Sequence, residues 1–170
     1  MKVLLHHLTP FALAPNQWQA QVARTRAGLE GLGIEADFLR WYDGRQTGDL
    51  IHFFGRIPAY LIPFAHDKQM PVVVSEMFGV NLSPLSLAMQ SATVRVLEKT
   101  MPDQLIGFFE WGSYRQTDAC VVPTDADARR LRQVFRVAPE RIHVVAEGET
   151  NDSAAKRLKA IYDGLLKTSR

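Results

Sequence analysis

A chain of 170 residues, 46% hydrophobic and 22% charged, holds enough apolar material for one globular core and little room for a second. Its formal net charge of +2 gives no electrostatic case for nucleic acid as a partner, and its single cysteine excludes an internal disulfide or a cysteine-rich metal site. No window offers the roughly 18 uninterrupted apolar residues of a membrane span, and MKVLL followed at once by HHLTP is too brief for a secretory signal. A cytoplasmic setting is the expectation.

In chain order, residues 3–5 read as a short buried strand with His6 and His7 at its carboxyl end. The loop LTPFALAP leads to Asn16, a residue suited to cap a helix by accepting from backbone N–H groups. Trp18, Val22, Leu29 and Leu32 recur at helical spacing, Gly28 and Gly31 allow another element to approach, and Gly33 supplies the stop. Residues 34–41 read as a second strand, followed by the turn chemistry of WYDGRQTGD. A third strand over 50–54 ends at Gly55, and an apolar helix over 59–66 follows. Pro71 then opens VVVS, a β-branched run suited to a central parallel strand covered on both faces. Helical patterns follow over 84–100 and 104–114. Next come a strand over 119–122, a helix over 125–135, a strand over 142–145 and a last amphipathic helix over 151–167. That helix places Leu158, Ile161, Tyr162, Leu165 and Leu166 on one face. Cys120, in the apolar run ACVV, reads as a small buried hydrophobe.

Short apolar strands alternating with helices specify βα units and a parallel sheet. The expected fold is α/β: one Rossmann-like, doubly wound parallel sheet of about six strands with helices on both faces. ETNDSA is the one stretch that reads as a joint. It divides residues 1–150, the sheet domain, from 151–170, a helix packing back on it.

Ligands of open parallel sheets sit beyond the carboxyl ends of the strands. The candidates there are His7 with Asn16 and Gln17 after the first strand, Gly55 and Arg56 after the third, and Ser75, Glu76 and Gly79 after the fourth. Thr124 follows the fifth strand, and Glu147 the sixth. His6 and His7 are adjacent on a strand and point to opposite faces, so one metal ion is not expected between them. His52 and His143, within strands, read as core histidines. No GxGxxG follows the first strand and no GxxxxGK[ST] occurs, which argues against a dinucleotide dehydrogenase and a P-loop NTPase. GxSxG is absent, and Ser75 has no base adjacent in sequence, so a hydrolase triad is not indicated. No metal and no cofactor are expected. Thr124 is suited to cap the helix PTDADARRLRQVF, with Asp125 and Asp127 in its first turn favourable to the dipole.

Five passages carry a resemblance. VVPTDADARRLRQVFRVAPERIHVVAEGE is similar to the end of the N-terminal domain of retaining family-4 glycosyltransferases with the GT-B fold, where a strand, Pro-Ser/Thr and a capped Arg-rich helix lead to "RIxVVxNG". DLIHFFG is similar to their "DVIHxHG", PVVVSEMFG to their "PVVxTxHG", and GLEGLGIEADFLRW to their "L..LGHEV.V". The likeness runs collinearly over about residues 1–150. AAKRLKAIYDGLL resembles the final helix that returns from the donor lobe to the acceptor lobe. The resemblance implies an acceptor-side domain without a donor-binding domain, inactive alone, whose partners are a sugar acceptor and, in a second arrangement, a donor-binding chain in trans. That second arrangement would expose an apolar cleft face around Phe11, Trp18, Phe53 and Phe78. Two departures support inactivity: Ala14-Pro15-Asn16 stand where the family has glycines, and Met77 stands where it often has a histidine, so no catalytic residue is assigned. Family members dock on lipid, and Phe108, Phe109, Trp111 and Tyr114 beside Arg115 form a candidate patch for peripheral membrane contact; packing in the core is the competing reading. A third reading is a non-catalytic Rossmann-like module that binds a nucleotide or a protein.

Overall fold

The computed structural model describes residues 1–9, 13, 16–40, 42–79, 83–100, 112–146 and 150–168; the side chain of Asn16 lies outside that set. Six strands form one sheet: β1 (Lys2–His7), β2 (Glu35–Phe38), β3 (Leu50–Phe54), β4 (Val72–Ser75), β5 (Ala119–Val122) and β6 (Ile142–Val144). Their spatial order is β2-β1-β3-β4-β5-β6, and every neighbouring pair is parallel. The described helices are α1 (Asn16–Gly31), α2 (Leu61–Asp67), α3 (Pro84–Thr100), α4 (Ser113–Gln116), α5 (Asp125–Gln133) and α6 (Asn151–Thr168). This is the doubly wound Rossmann-like arrangement expected from the sequence.

Strand alternation sorts the core into two layers. Leu4, Ile51, Phe53, Val72, Val74, Cys120 and Val122 face one side, where Ile62 of α2, Val94 of α3, Tyr114 of α4 and Leu131 of α5 cover them. Val3, Leu5, Leu50, Phe54, Val73, Ala119 and Val121 face the other, under Trp18, Val22 and Leu29 of α1 and Leu158 and Tyr162 of α6. Burial on both faces is why β4 and β5 read as unbroken apolar runs.

Several expectations change at the boundaries. β2 stops at Phe38, where the Asp37 carboxylate accepts from the Phe38 N–H at 2.8 Å, instead of running to residue 41. The helix expected over 104–114 is described only as α4, residues 104–111 lying outside the described set. The joint expected at ETNDSA is in large part the first turn of α6, since the helix begins at Asn151. Thr150 caps that turn, its Oγ1 accepting from the Ser153 N–H at 3.3 Å. α6 then lies directly on α1: a Cβ on Gly28 would sit 2.9 Å from the Ala155 Cβ and 3.1 Å from the Asn151 carbonyl oxygen. The expected close approach thus occurs at Gly28. At Gly31 nothing lies within 4 Å.

Two expected apolar surfaces lose their described members to the interior. Trp18 and Phe53 are buried and Phe78 packs partly buried against the core, so these three do not form an exposed face; Phe11 lies outside the described residues. Tyr114, placed in the interfacial patch as one reading, is fully buried, while Phe108, Phe109 and Trp111 lie outside the described residues. Its burial follows from its partners, described below. Among the described residues no helix is long and apolar enough to cross a membrane.

Candidate functional site at the strand-order reversal

β1 is followed on one side by β2 and on the other by β3, so the direction of chain progression reverses between β1 and β3. Loops leaving those two strands diverge to opposite faces and leave a crevice between them. A cleft of about 330 Å³ lies there. Its walls come from His7 at the end of β1 and Thr9 beyond it, Gly55 and Arg56 after β3, Glu76 after β4, and Trp18 of α1. Four residues expected from the sequence, His7, Gly55, Arg56 and Glu76, therefore converge on one cleft.

Each is held by identifiable contacts. The His7 Nδ1 lies 2.9 Å from the Thr9 carbonyl oxygen, which selects the tautomer with the proton on Nδ1. Its ring leans on Trp18, with ring centroids 5.5 Å apart. Gly55 has φ +84°, a left-handed conformation that a side chain resists, and His7 and Trp18 atoms lie 3.7 to 3.8 Å from where its Cβ would be. Glu76 is buried at the end of β4, its N–H donating to the Val121 carbonyl at 2.9 Å. Its carboxylate accepts from the Tyr114 hydroxyl and from the Met77 N–H at 3.0 Å. The Arg56 Nε donates to the same Tyr114 oxygen at 3.0 Å. Arg56, Tyr114 and Glu76 thus form a donor chain ending on a buried carboxylate, and this chain is what draws Tyr114 inside. Burial raises the Glu76 pKa, opposed by its hydrogen bonds to Tyr114 and Met77 and by the charges of Arg56 and Arg130. The cleft offers a cation, an imidazole, a carboxylate and an aromatic wall, a set able to donate to and accept from a polyhydroxylated ligand.

His6 points the other way, its ring 4.9 Å from that of Phe53, and burial with the adjacent His7 lowers its pKa to about 4. The two histidines diverge as strand geometry requires. Among the described residues no three His, Cys, Asp or Glu side chains come together in an arrangement suited to a metal ion.

Ser75 belongs to a different network. His52 lies fully buried in β3, with Nε2 2.7 Å from the Ser75 Oγ and Nδ1 2.6 Å from the Tyr162 hydroxyl of α6. A serine–histidine pair is therefore present, although nothing adjacent in sequence indicated it. It is poorly suited to nucleophilic catalysis. Burial lowers the His52 pKa to about 3, far too weak a base to take the serine proton near neutrality. The cavity beside Ser75 holds only about 70 Å³. His52 is the satisfied core histidine expected, and its network fastens α6 to the middle of the sheet. His143, in contrast, is only partly buried in edge strand β6.

The remaining candidates do not join the cleft. The Thr124 side chain caps α5, accepting from the Asp127 N–H at 3.1 Å and donating to the Asp127 carboxylate at 2.6 Å. Gly79 is exposed with φ +66° and nothing near it. Gln17 is exposed at the start of α1, and Met77 packs at the edge of the α1–α6 layer. Glu147 lies outside the described residues. Sequence reasoning missed Thr9 and Tyr114 as members of the site, and placed Trp18 on an exposed cleft face where the structure makes it a buried wall. Trp18 and Tyr114 carry core-like helical spacing, which conceals a polar or lining role.

No protein-family model matches this sequence, and no curated protein matches it.

Proposed function

We propose that the chain is the acceptor-binding lobe of a two-lobed glycosyltransferase, binding a sugar acceptor in the cleft at the strand-order reversal. The observation that carries this reading is the convergence of His7, Arg56 and Glu76 around a 330 Å³ cleft walled by Trp18. The collinear sequence resemblance and the α6 helix docked on α1 agree with it. A donor lobe, in cis or in trans, would supply the nucleotide-sugar. One lobe gives one wall of such a cleft and neither excludes water nor orients both substrates, so this chain by itself binds without turnover. A cytoplasmic setting, where nucleotide-sugars would be met, belongs to the same reading.

Saturation-transfer NMR with a panel of monosaccharides, alkyl glycosides and sugar alcohols tests the proposal, alongside a transfer and hydrolysis assay with nucleotide-sugars. Saturable saccharide binding that weakens about ten-fold in Glu76→Gln or His7→Ala is expected, from loss of one charge-assisted or ring hydrogen bond. Turnover by the purified chain, or saccharide binding indifferent to both substitutions, would overturn it.

A further inference from the structure

On the far side of Arg56 a second cavity, of about 570 Å³, opens between α3 and α5. That volume is in the range of small-molecule sites, roughly 300 to 1,000 Å³. Val94, Val134 and Phe135 form its apolar walls, and Gln90 and Thr93 of α3 stand at its polar edge. Two arginines, Arg56 and Arg130, line it as well.

Arg130 is the unusual member. Its guanidinium carbon sits 4.5 Å from the centroid of the Phe78 ring, and Phe78 is itself stacked on Phe135 with centroids 5.7 Å apart. The cation is thus held over the face of an aromatic ring. Its Nε is buried and has no hydrogen-bond partner among the described residues. That atom is sealed off, so a ligand in the cavity meets the guanidinium at its Nη groups. The neighbouring carboxylates already have donors: Asp127 accepts from Thr124 Oγ1 at 2.6 Å, and Glu76 accepts from Tyr114. Burial lowers the Arg130 pKa and the like charge of Arg56 adds to this, while Tyr114, Asp127 and Glu76 oppose it.

We infer that this cavity binds a small organic anion, with a phosphate or carboxylate group on Arg130 and an apolar body against Val94, Val134 and Phe135. The two Nη ends of a guanidinium match the two oxygens of either group in a bidentate pair, which an ammonium cannot reproduce. The inference does not depend on the acceptor reading, because the cavity lies between α3 and α5 and not between β1 and β3.

Isothermal titration calorimetry of the full chain with phenyl phosphate, benzoate, inorganic phosphate and benzyl alcohol tests it. Phenyl phosphate or benzoate binds at one site, at least about ten-fold more tightly than benzyl alcohol or inorganic phosphate. Whichever of the two aromatic anions binds more tightly identifies the headgroup. Arg130→Lys, which keeps the charge and loses the fork, weakens binding about ten-fold. Thr93→Trp, at an exposed position on the cavity edge, blocks binding without touching the core and leaves saccharide binding in the other cleft unchanged, so the two sites are separated even if Arg130→Lys folds poorly. No saturable binding of either aromatic anion up to ~10 mM, equal binding of benzyl alcohol, or full binding to Thr93→Trp would overturn the inference.

Discussion

His52 stays neutral in the folded chain because no charge is placed to compensate its burial, and this has a direct pH signature. Its pKa falls from 6.5 to about 3 on folding. Below 6.5 the unfolded chain takes up a proton that the folded chain refuses until about pH 3. Stability contributed by the neutral ring is therefore complete above 6.5 and is lost as pH falls toward 3, by about 1 kcal/mol per pH unit. His6, lowered to about 4 and partly exposed, adds a smaller loss of the same sign between 6.5 and 4. The raised Glu76 acts oppositely, since its folded form takes up a proton before the unfolded one does. Urea midpoints are expected to drop between about pH 7 and about pH 5, with a shallower drop in His52→Gln. An unchanged slope in that variant would remove His52 as the cause. The same ring supports a second prediction. Tyr162→Phe leaves the buried Nδ1 of His52 without its 2.6 Å partner and costs about 1–3 kcal/mol by urea denaturation at neutral pH.

Helices of this chain are fixed by contact more than by propensity. α5 has nine residues, too few to persist alone, and depends on its Thr124 cap and on Leu131 buried against the sheet. α3 is pinned near its end by Glu98, which receives Arg115 of α4 at 2.8 Å and also Arg136 from the turn after α5. α1 and α6 approach closely at Gly28. A valine there would force its branched side chain into Ala155 and the Asn151 carbonyl, and overpacking of this kind costs about 1–3 kcal/mol. Gly28→Val is thus expected to lower the thermal midpoint, and Ala155→Gly in the same chain to restore part of it. A neutral Gly28→Val would mean that α6 can shift without loss.

At the scale of the molecule, a parallel sheet is stable only with both faces covered. α6 is half of one cover. Removing residues 151–170 would strip Leu158 and Tyr162 from the core, leave His52 short of a partner, and expose Val121 and Val73 beneath. A chain ending at residue 150 is expected to aggregate or bind a hydrophobic dye, read by size-exclusion chromatography and dye fluorescence. Cooperative melting like that of the full chain would show that the helix is an accessory.

The sequence by itself determined the βα alternation, the central place of VVVS and ACVV, and the positions of most helices, because periodicity and β-branched runs are local properties of the chain. It also placed His7, Gly55, Arg56 and Glu76 at strand ends, where a parallel sheet must present them. Only the tertiary structure decided which strand ends are neighbours. The order β2-β1-β3 brings His7 to Arg56, while Ser75 pairs with His52 beneath α6 and Thr124 serves as a cap. It also turned Trp18 into a cleft wall and Tyr114 into a buried donor, and it set Arg130 on Phe78. The Ser75–His52 and Tyr114–Glu76 pairings join residues 23 and 38 positions apart. Spacing along the chain carries no record of them, because they arise when two faces of one sheet are covered at once.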